Sequence, residues 1–263
     1  MGTTRVIVHG AAGRVGQEVV AALARSTDID PVGAVDIVAQ SSEILLPDGL
    51  GSIPYRTTFR DILESCEADV VVDFSVAEAC RNIVPEAANK GLHLVIGTTG
   101  LTESDIEKFS NISVENGVGI VVAPNFALGA VLLNHLTRLA ARFFEYVDIF
   151  EAHHEGKIDA PSGTSIKLAH DIASEIEFVR PEPKIESIPD TRGGSYKGIS
   201  IHSTRMPGRS AHHEVVFGGP GQTLSLRHDV INRECYMAGV LLAIKEVTKK
   251  RELILGLENI LGL

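Results

Sequence analysis

Through the first half of the chain, short apolar runs alternate with stretches long enough for a helix. Residues 5–9 read as a buried strand, followed by Gly10-Ala11-Ala12-Gly13-Arg14-Val15-Gly16 and a helix to about Arg25. A second strand over 32–35 ends at Asp36, and residues 68–74 (ADVVVDF) have the β-branched run of a central strand. A helix over about 78–90 leads to a strand at 92–96 and then to Gly97-Thr98-Thr99-Gly100. A further strand at 119–122 ends in Ala123-Pro124-Asn125-Phe126. This rhythm predicts βαβ units in a parallel sheet, where ligands gather at the carboxyl ends of strands.

After Phe126 the rhythm changes. The spacing predicts a helix over 129 to about 143, a strand over 147–152 and a helix from 164 to about 175. Residues 180–197, rich in Pro, Gly and polar side chains, read as a mobile loop. Strands are expected at 199–204, 214–217 and 223–229, with no helices between them, so they require an antiparallel or mixed sheet. The tail, 234–263, returns to helical spacing, with Met237, Val240, Leu241 and Ile244 on one face. The expected fold class is α/β: a Rossmann-like doubly wound parallel sheet domain plus a smaller α+β mixed-sheet domain.

Composition narrows the functions. The 263 residues are 44% hydrophobic, enough for one large or two modest cores. The net charge is -10 and no basic run exists, which argues against nucleic acid and anionic membrane as partners. Cys66, Cys80 and Cys235 are odd in number and far apart, so they are expected to be buried thiols of a reduced compartment. No spacing suggests a metal site. The N-terminal apolar run is too short for a signal peptide, and the stretch 117–133 is broken by Pro124-Asn125. A soluble, cytoplasmic protein is expected.

The turn after the first strand is G-x-x-G-x-x-G, with Ala12 where the commoner pattern has a glycine. It can still do the physical work. Gly10 permits the tight turn, Gly13 lets backbone approach a pyrophosphate, and Gly16 lets helix and sheet pack closely. Asp36 lies 20 residues past Gly16, where such folds place the acid that bonds a ribose 2′-OH. A 2′-phosphate about 4 Å from that carboxylate would meet roughly 4 kcal/mol of repulsion at an effective dielectric of 20. Ile37 cannot compensate as an arginine would, although Arg14 can soften the bias. NADH is therefore expected to be preferred, with NADPH still usable.

The stretch Glu151-Ala-His153-His154-Glu-Gly-Lys157-Ile-Asp159-Ala-Pro161-Ser162-Gly163-Thr164 gathers two imidazoles and an ammonium before a helix start. Those groups can donate protons and meet an anion near neutral pH. A helix start offers backbone N–H groups and a positive dipole end to a carboxylate. A small acidic substrate is implied.

Together these segments resemble the dihydrodipicolinate reductase (4-hydroxy-tetrahydrodipicolinate reductase) family. The resemblance spans nearly the whole chain: GAAGRVG (10–16), GTTG (97–100), APNF (123–126), EAHHEGKIDAPSGT (151–164), IHSTRMPGRSAHHEVVFGG (201–219) and RHDVINRECYMAGV (227–240). It implies reduction of a cyclic imine dicarboxylate by NAD(P)H in lysine and diaminopimelate biosynthesis. By resemblance, Gly10, Ala11, Ala12, Gly13, Arg14, Val15, Asp36, Gly97, Thr98, Thr99, Ala123, Pro124, Asn125 and Phe126 contact the dinucleotide. His153 and Lys157 are the expected proton donors, and His154, Lys157, Gly163 and Thr164 the substrate contacts. The resemblance also implies a homotetramer, and a dinucleotide domain of residues 1–125 plus 233–263 beside a substrate-binding and oligomerisation domain of 126–232. Ile37 and Val76 stand where some members carry Arg, which again disfavours NADPH. His213 and Arg233 match family positions without an assigned role. Rival readings are an aspartate- or homoserine-type dehydrogenase and a non-catalytic dinucleotide sensor.

Overall fold

Strand β1 (Thr4–His9) buries Val6, Ile7 and Val8 completely, so both of its faces are covered, as in the middle of a parallel sheet. The computed structural model describes residues 2–263. They form two units, one of the residues up to Leu128 with Arg233–Leu263, the other of Gly129–Asn232.

In the first unit, β1 leads through the glycine turn into α1 (Arg14–Ala24) and β2 (Ile29–Val35). There follow β3 (Glu43–Leu45), β4 (Ser52–Arg56), α2 (Phe59–Leu63), β5 (Val70–Asp73), α3 (Ala77–Asn89), β6 (His93–Ile96), α4 (Glu103–Asn116) and β7 (Ile120–Val122). Ile7, Val71, Leu94, Ile96 and Ile120 join Ile62, Val84 and Phe109 of α2, α3 and α4 in one core. The alternate side chains Val6, Val8, Val70, Val72, Val95 and Val121 are equally buried. They serve the opposite face, because successive strand side chains point to opposite sides.

The second unit begins with α5 (Leu128–Ala141), β8 (Tyr146–His153) and α6 (Gly163–Ala173). Then come β9 (Gly194–Tyr196), β10 (Ile199–Arg205), β11 (Ala211–Gly219) and β12 (Gln222–Val230). Its sheet has the order β12-β11-β8-β10-β9, with only the β8–β10 pair parallel among the described residues. One face packs on α5 and α6 through Val147, Ile149, Ile201, Val215, Phe217, Leu133, Leu168 and Ile172.

The chain then returns to the first unit with a 3-10 turn at Arg233–Tyr236, α7 (Met237–Val247), β13 (Leu253–Leu255) and α8 (Leu257–Leu261). The first sheet has the order β13-β7-β6-β5-β1-β2-β4-β3, parallel except for the β3–β4 pair. Helix α7 packs against α1 and over β6.

Several expectations need correction. The tail is not helical throughout: Leu253-Ile254-Leu255 pairs with β7, and Gly256, at φ +84°, turns the chain before α8. Three apolar residues fit either period. The segment 180–197 is not all loop, since its end forms the edge strand β9. Of the cysteines only Cys80 is buried; Cys66 and Cys235 are half-exposed, and all three are free thiols. Among the described residues no helix is long and apolar enough to cross a membrane.

Candidate active site

In the first unit the strand register lines up the carboxyl ends. His9 pairs with Val35 and with Asp73, Asp73 with Ile96, and Ile96 with Val122. The residues that follow these ends therefore share one edge of the sheet. They are the turn 10–15, Asp36, 97–99 and 123–126, so the structure brings the sequence-predicted dinucleotide residues together. Gly10 adopts φ +80° and donates its N–H to Val35 O at 2.9 Å. A Cβ on Gly16 would collide with the Gly10 carbonyl and come within 2.9 Å of Ala11 Cα. No side chain caps α1 at Gly13 and its first turn holds no acid, so it suits a pyrophosphate. Asp36 accepts the Ala12 N–H at 2.9 Å, which fixes a carboxylate against the turn. These residues fit a dinucleotide.

Behind that edge lies a buried polar cluster. The Asp73 carboxylate, fully buried, takes His9 Nδ1 at 2.6 Å, Ser75 Oγ at 2.6 Å and Thr98 Oγ1 at 2.7 Å. Burial alone would raise its pKa, but these hydrogen bonds and the imidazole charge hold it below the usual carboxylate range. One carboxylate thus ties together the ends of β1, β5 and β6.

In the second unit the site grows out of strand alternation. Val147, Ile149, Glu151 and His153 are the buried positions of β8. Ile149 pairs with Val215 and Ile201, Glu151 with His213 and Ser203, and His153 with Ala211 and Arg205. The same face is apolar at one end and carries a buried carboxylate and two imidazoles at the other. Glu151 Oε2 lies against His153 Nδ1, and Glu151 Oε1 is 2.9 Å from Arg205 Nη2. Burial pushes the Glu151 carboxyl up, but Ser203, Arg205 and His153 outweigh it and hold the group ionised. Burial lowers the His153 pKa; Glu151 opposes that, while Lys157 and Arg205 add to it.

His213 stands edge-on to His153, ring centroids 5.3 Å apart, and burial pushes its pKa down to about 4. Its Nε2 is 3.1 Å from Ser162 Oγ. Ser162 is the N-cap of α6, accepting the Ser165 N–H at 3.2 Å. The next residue, Gly163, is exposed, with open space where a Cβ would sit. Between β8 and α6 the chain turns at 154–157, with Lys157 N bonded to His154 O, and passes through a cis Ala160–Pro161 bond. Lys157 Nζ is 2.6 Å from Asp159 Oδ1, and Arg205 Nη2 donates to Asp159 O at 2.5 Å. His154 is exposed at the start of this turn. Glu151, His153 and His213 offer ligand atoms within 4.8 Å of one another, a spacing that a metal ion could use. Both carboxylate oxygens lie within ion-pairing distance of His153 and Arg205, although neither completes a hydrogen bond of good geometry, so buried ion pairing is what holds the cluster.

Residues 4–126 match the model of the dihydrodipicolinate reductase N-terminus, and residues 129–261 that of its C-terminus. The chain belongs to the dihydrodipicolinate reductase family. Family members use a nicotinamide dinucleotide. The 4-hydroxy-tetrahydrodipicolinate reductase of Dehalococcoides mccartyi is 46% identical over 260 residues, 98% of each chain. That of Moorella thermoacetica is 42% identical over 262 residues, again 98% of each. Among solved structures, the dipicolinate-bound dihydrodipicolinate reductase from Paenisporosarcina sp. TG-14 is 35% identical. Its TM-score is 0.87, covering 98% of this chain and 99% of that one. A probable dehydrogenase from Thermotoga maritima, 13% identical with a TM-score of 0.64, shares the fold alone.

In this chain, sequence reasoning missed Arg205, Asp159 and the partnership of Ser162 with His213, and gave Glu151 no role. Arg205 lies 52 positions beyond His153, and only the parallel β8–β10 pairing joins them. The strand pattern held one signal for Glu151: it shares parity with the buried Val147 and Ile149.

Proposed function

We propose that this member of the family reduces 4-hydroxy-tetrahydrodipicolinate to tetrahydrodipicolinate and water, with His153 and Lys157 handling proton and charge. The observation that carries the reading is a buried imidazole, backed by a carboxylate, on a strand that runs toward a capped helix start suited to an anion. The turn 10–15, with Asp36, 97–99 and 123–126, holds the dinucleotide. Loss of the C4 hydroxyl as water, with a proton from the ring carbon between C4 and the imine, leaves a C=C bond at C4 conjugated to that imine. The bound reduced nicotinamide would supply a hydride to C4, and the electron pair of that double bond moves through the imine to the ring nitrogen. His153 supplies the proton that the ring system then needs. A substrate with two carboxylates opposes the burial that lowers the His153 pKa, so binding favours the protonated donor. Lys157 neutralises developing negative charge. His154 meets the substrate at its exposed edge, and the Gly163 and Thr164 N–H groups receive a carboxylate.

NADH is the preferred cofactor, with NADPH usable. Asp36 is fixed beside the turn, and Ile37 and Val76 are exposed without charge. Arg14 is exposed in that turn and can soften the bias. Tyr146 and Phe150 are exposed on the sheet face away from α5 and α6, a face open to a second copy, and sedimentation tests the homotetramer that the resemblance implies.

The test is an assay with dihydrodipicolinate synthase, pyruvate and aspartate semialdehyde. NADH oxidation that depends on all three is expected, and its absence would overturn the reading. A crystal with NADH and pyridine-2,6-dicarboxylate should place His153 and Lys157 beside the nicotinamide. Both side chains far from that ring would end the assignment.

A further inference from the structure

The two groups assigned to chemistry are joined by groups without an assigned task. Glu151 has a fully buried side chain, with one oxygen against His153 Nδ1 and the other 2.9 Å from Arg205 Nη2. That guanidinium nitrogen also donates to the Asp159 carbonyl at 2.5 Å, and Asp159 Oδ1 holds Lys157 Nζ at 2.6 Å. Arg205 Nη1 is further held by Thr204 O at 2.8 Å. The chain of contacts thus runs from His153 through Glu151 and Arg205 to Asp159 and Lys157, all within one unit.

We propose that Glu151 and Arg205 are positioning residues: Glu151 holds the His153 ring by Nδ1, and Arg205 clamps that carboxylate to the loop carrying Lys157. The inference rests on the reading of His153 as proton donor. With Nδ1 packed against an ionised carboxylate, Nε2 is left as the nitrogen that meets substrate, and turning the ring over would give up that ion pair. The clamp sets where the ammonium lies relative to that ring. Two residues 54 positions apart in the chain therefore fix one geometry. The charged or titratable groups around His153 are Glu151 on its own strand, Arg205 on β10, His213 on β11 and Lys157 on the following loop.

The sign of each charge makes the test sharp. Glu151 favours the imidazolium and Arg205 disfavours it. Activity that needs a protonated donor fails as pH rises through the donor's pKa, and kcat/KM against pH reports the free enzyme. In Glu151→Gln that limb should move to lower pH; in Arg205→Gln it should move to higher pH. Both variants should lose roughly 10–100-fold in kcat, taking as a guide the range for partners that orient metal-bound histidines. NADH binding should stay within about twofold of wild type. A merely structural role would lower melting temperature in both without shifts of opposite sign.

Selectively 15N-labelled histidine, with His153→Gln to assign the signal, should show the Nδ1–H form in wild type and a mixture in Glu151→Gln. Unmoved pH limbs, or an Nε2–H ring in wild type, would refute the proposal. If Glu151→Gln does not fold, Arg205→Gln and the wild-type spectrum decide. If wild type binds NADH but fails to reduce the imine, the reaction assignment falls, and the spectrum still tests the Glu151 contact.

Discussion

His153 is buried among groups that pull its ionisation both ways: burial, Lys157 and Arg205 lower its pKa, and Glu151 raises it. His153→Gln and Lys157→Ala should each lower kcat by about two orders of magnitude or more. Fluorescence titration should show NADH affinity nearly unchanged, and wild-type turnover in both variants would refute their roles. His213 makes a separate prediction about stability. Its folded pKa is about 4, below the ordinary value of 6.5, so below pH 6.5 the unfolded chain takes up a proton that the folded one refuses. Stability is therefore lost as pH falls from about 6.5 toward 4, by about 3 kcal/mol from this group. Denaturation at pH 7 and 4.5 should show a smaller acid loss in His213→Gln than in wild type; equal losses would exclude His213 as the cause.

At the scale of elements, α6 separates folding from binding. Its cap uses the Ser165 N–H, not that of Thr164, so a proline at 164 removes a donor that the cap does not need. Thr164→Pro should leave the melting temperature close to wild type and raise KM roughly 10–100-fold, the worth of a hydrogen bond to a charged group. Thr164→Ser should be mild. A KM unaltered by proline would mean that no carboxylate rests there. In α1, Gly16→Ala drives a methyl into the turn below and should cost about 1–3 kcal/mol and weaken NADH binding, read by melting and titration. Helix α4 shows what sequence periodicity leaves out. Its buried face is sparse (Asp105, Phe109 and Ser113), so the apolar pattern is faint. The readable signal was the capping box Thr102-x-x-Asp105, whose carboxylate also takes a two-pronged bond from Arg81. Strands β3 and β4 were missed for a related reason: each is short, and Pro54 interrupts the apolar run.

For the whole molecule, the alternation of strands and helices was enough to read the parallel sheet, because buried strands such as β1 and β5 are unbroken apolar runs. The glycine turn and the HH-x-x-K string were legible as chemistry because their residues are neighbours in the chain. The Glu151–Arg205 and Ser162–His213 contacts were not, since strand register creates them and one sequence carries no register. The intact enzyme should be stabilised by pyridine-2,6-dicarboxylate, by about 2.7 kcal/mol at 100 times its dissociation constant. A melting temperature that ignores the compound would contradict the anion site. kcat/KM should favour NADH over NADPH by about tenfold, the residue of a larger repulsion after screening. Equal values would show that Asp36 does not set the cofactor preference.

The Asp73 carboxylate sets a limit on how this cofactor edge can be rebuilt. It is a shared anchor for His9, Ser75 and Thr98. Swapping any single loop for one of different specificity keeps that anchor only if the graft brings its own donor to the same oxygen. Retuning the dinucleotide site one loop at a time is therefore harder than replacing the three loops with their shared acid as a set.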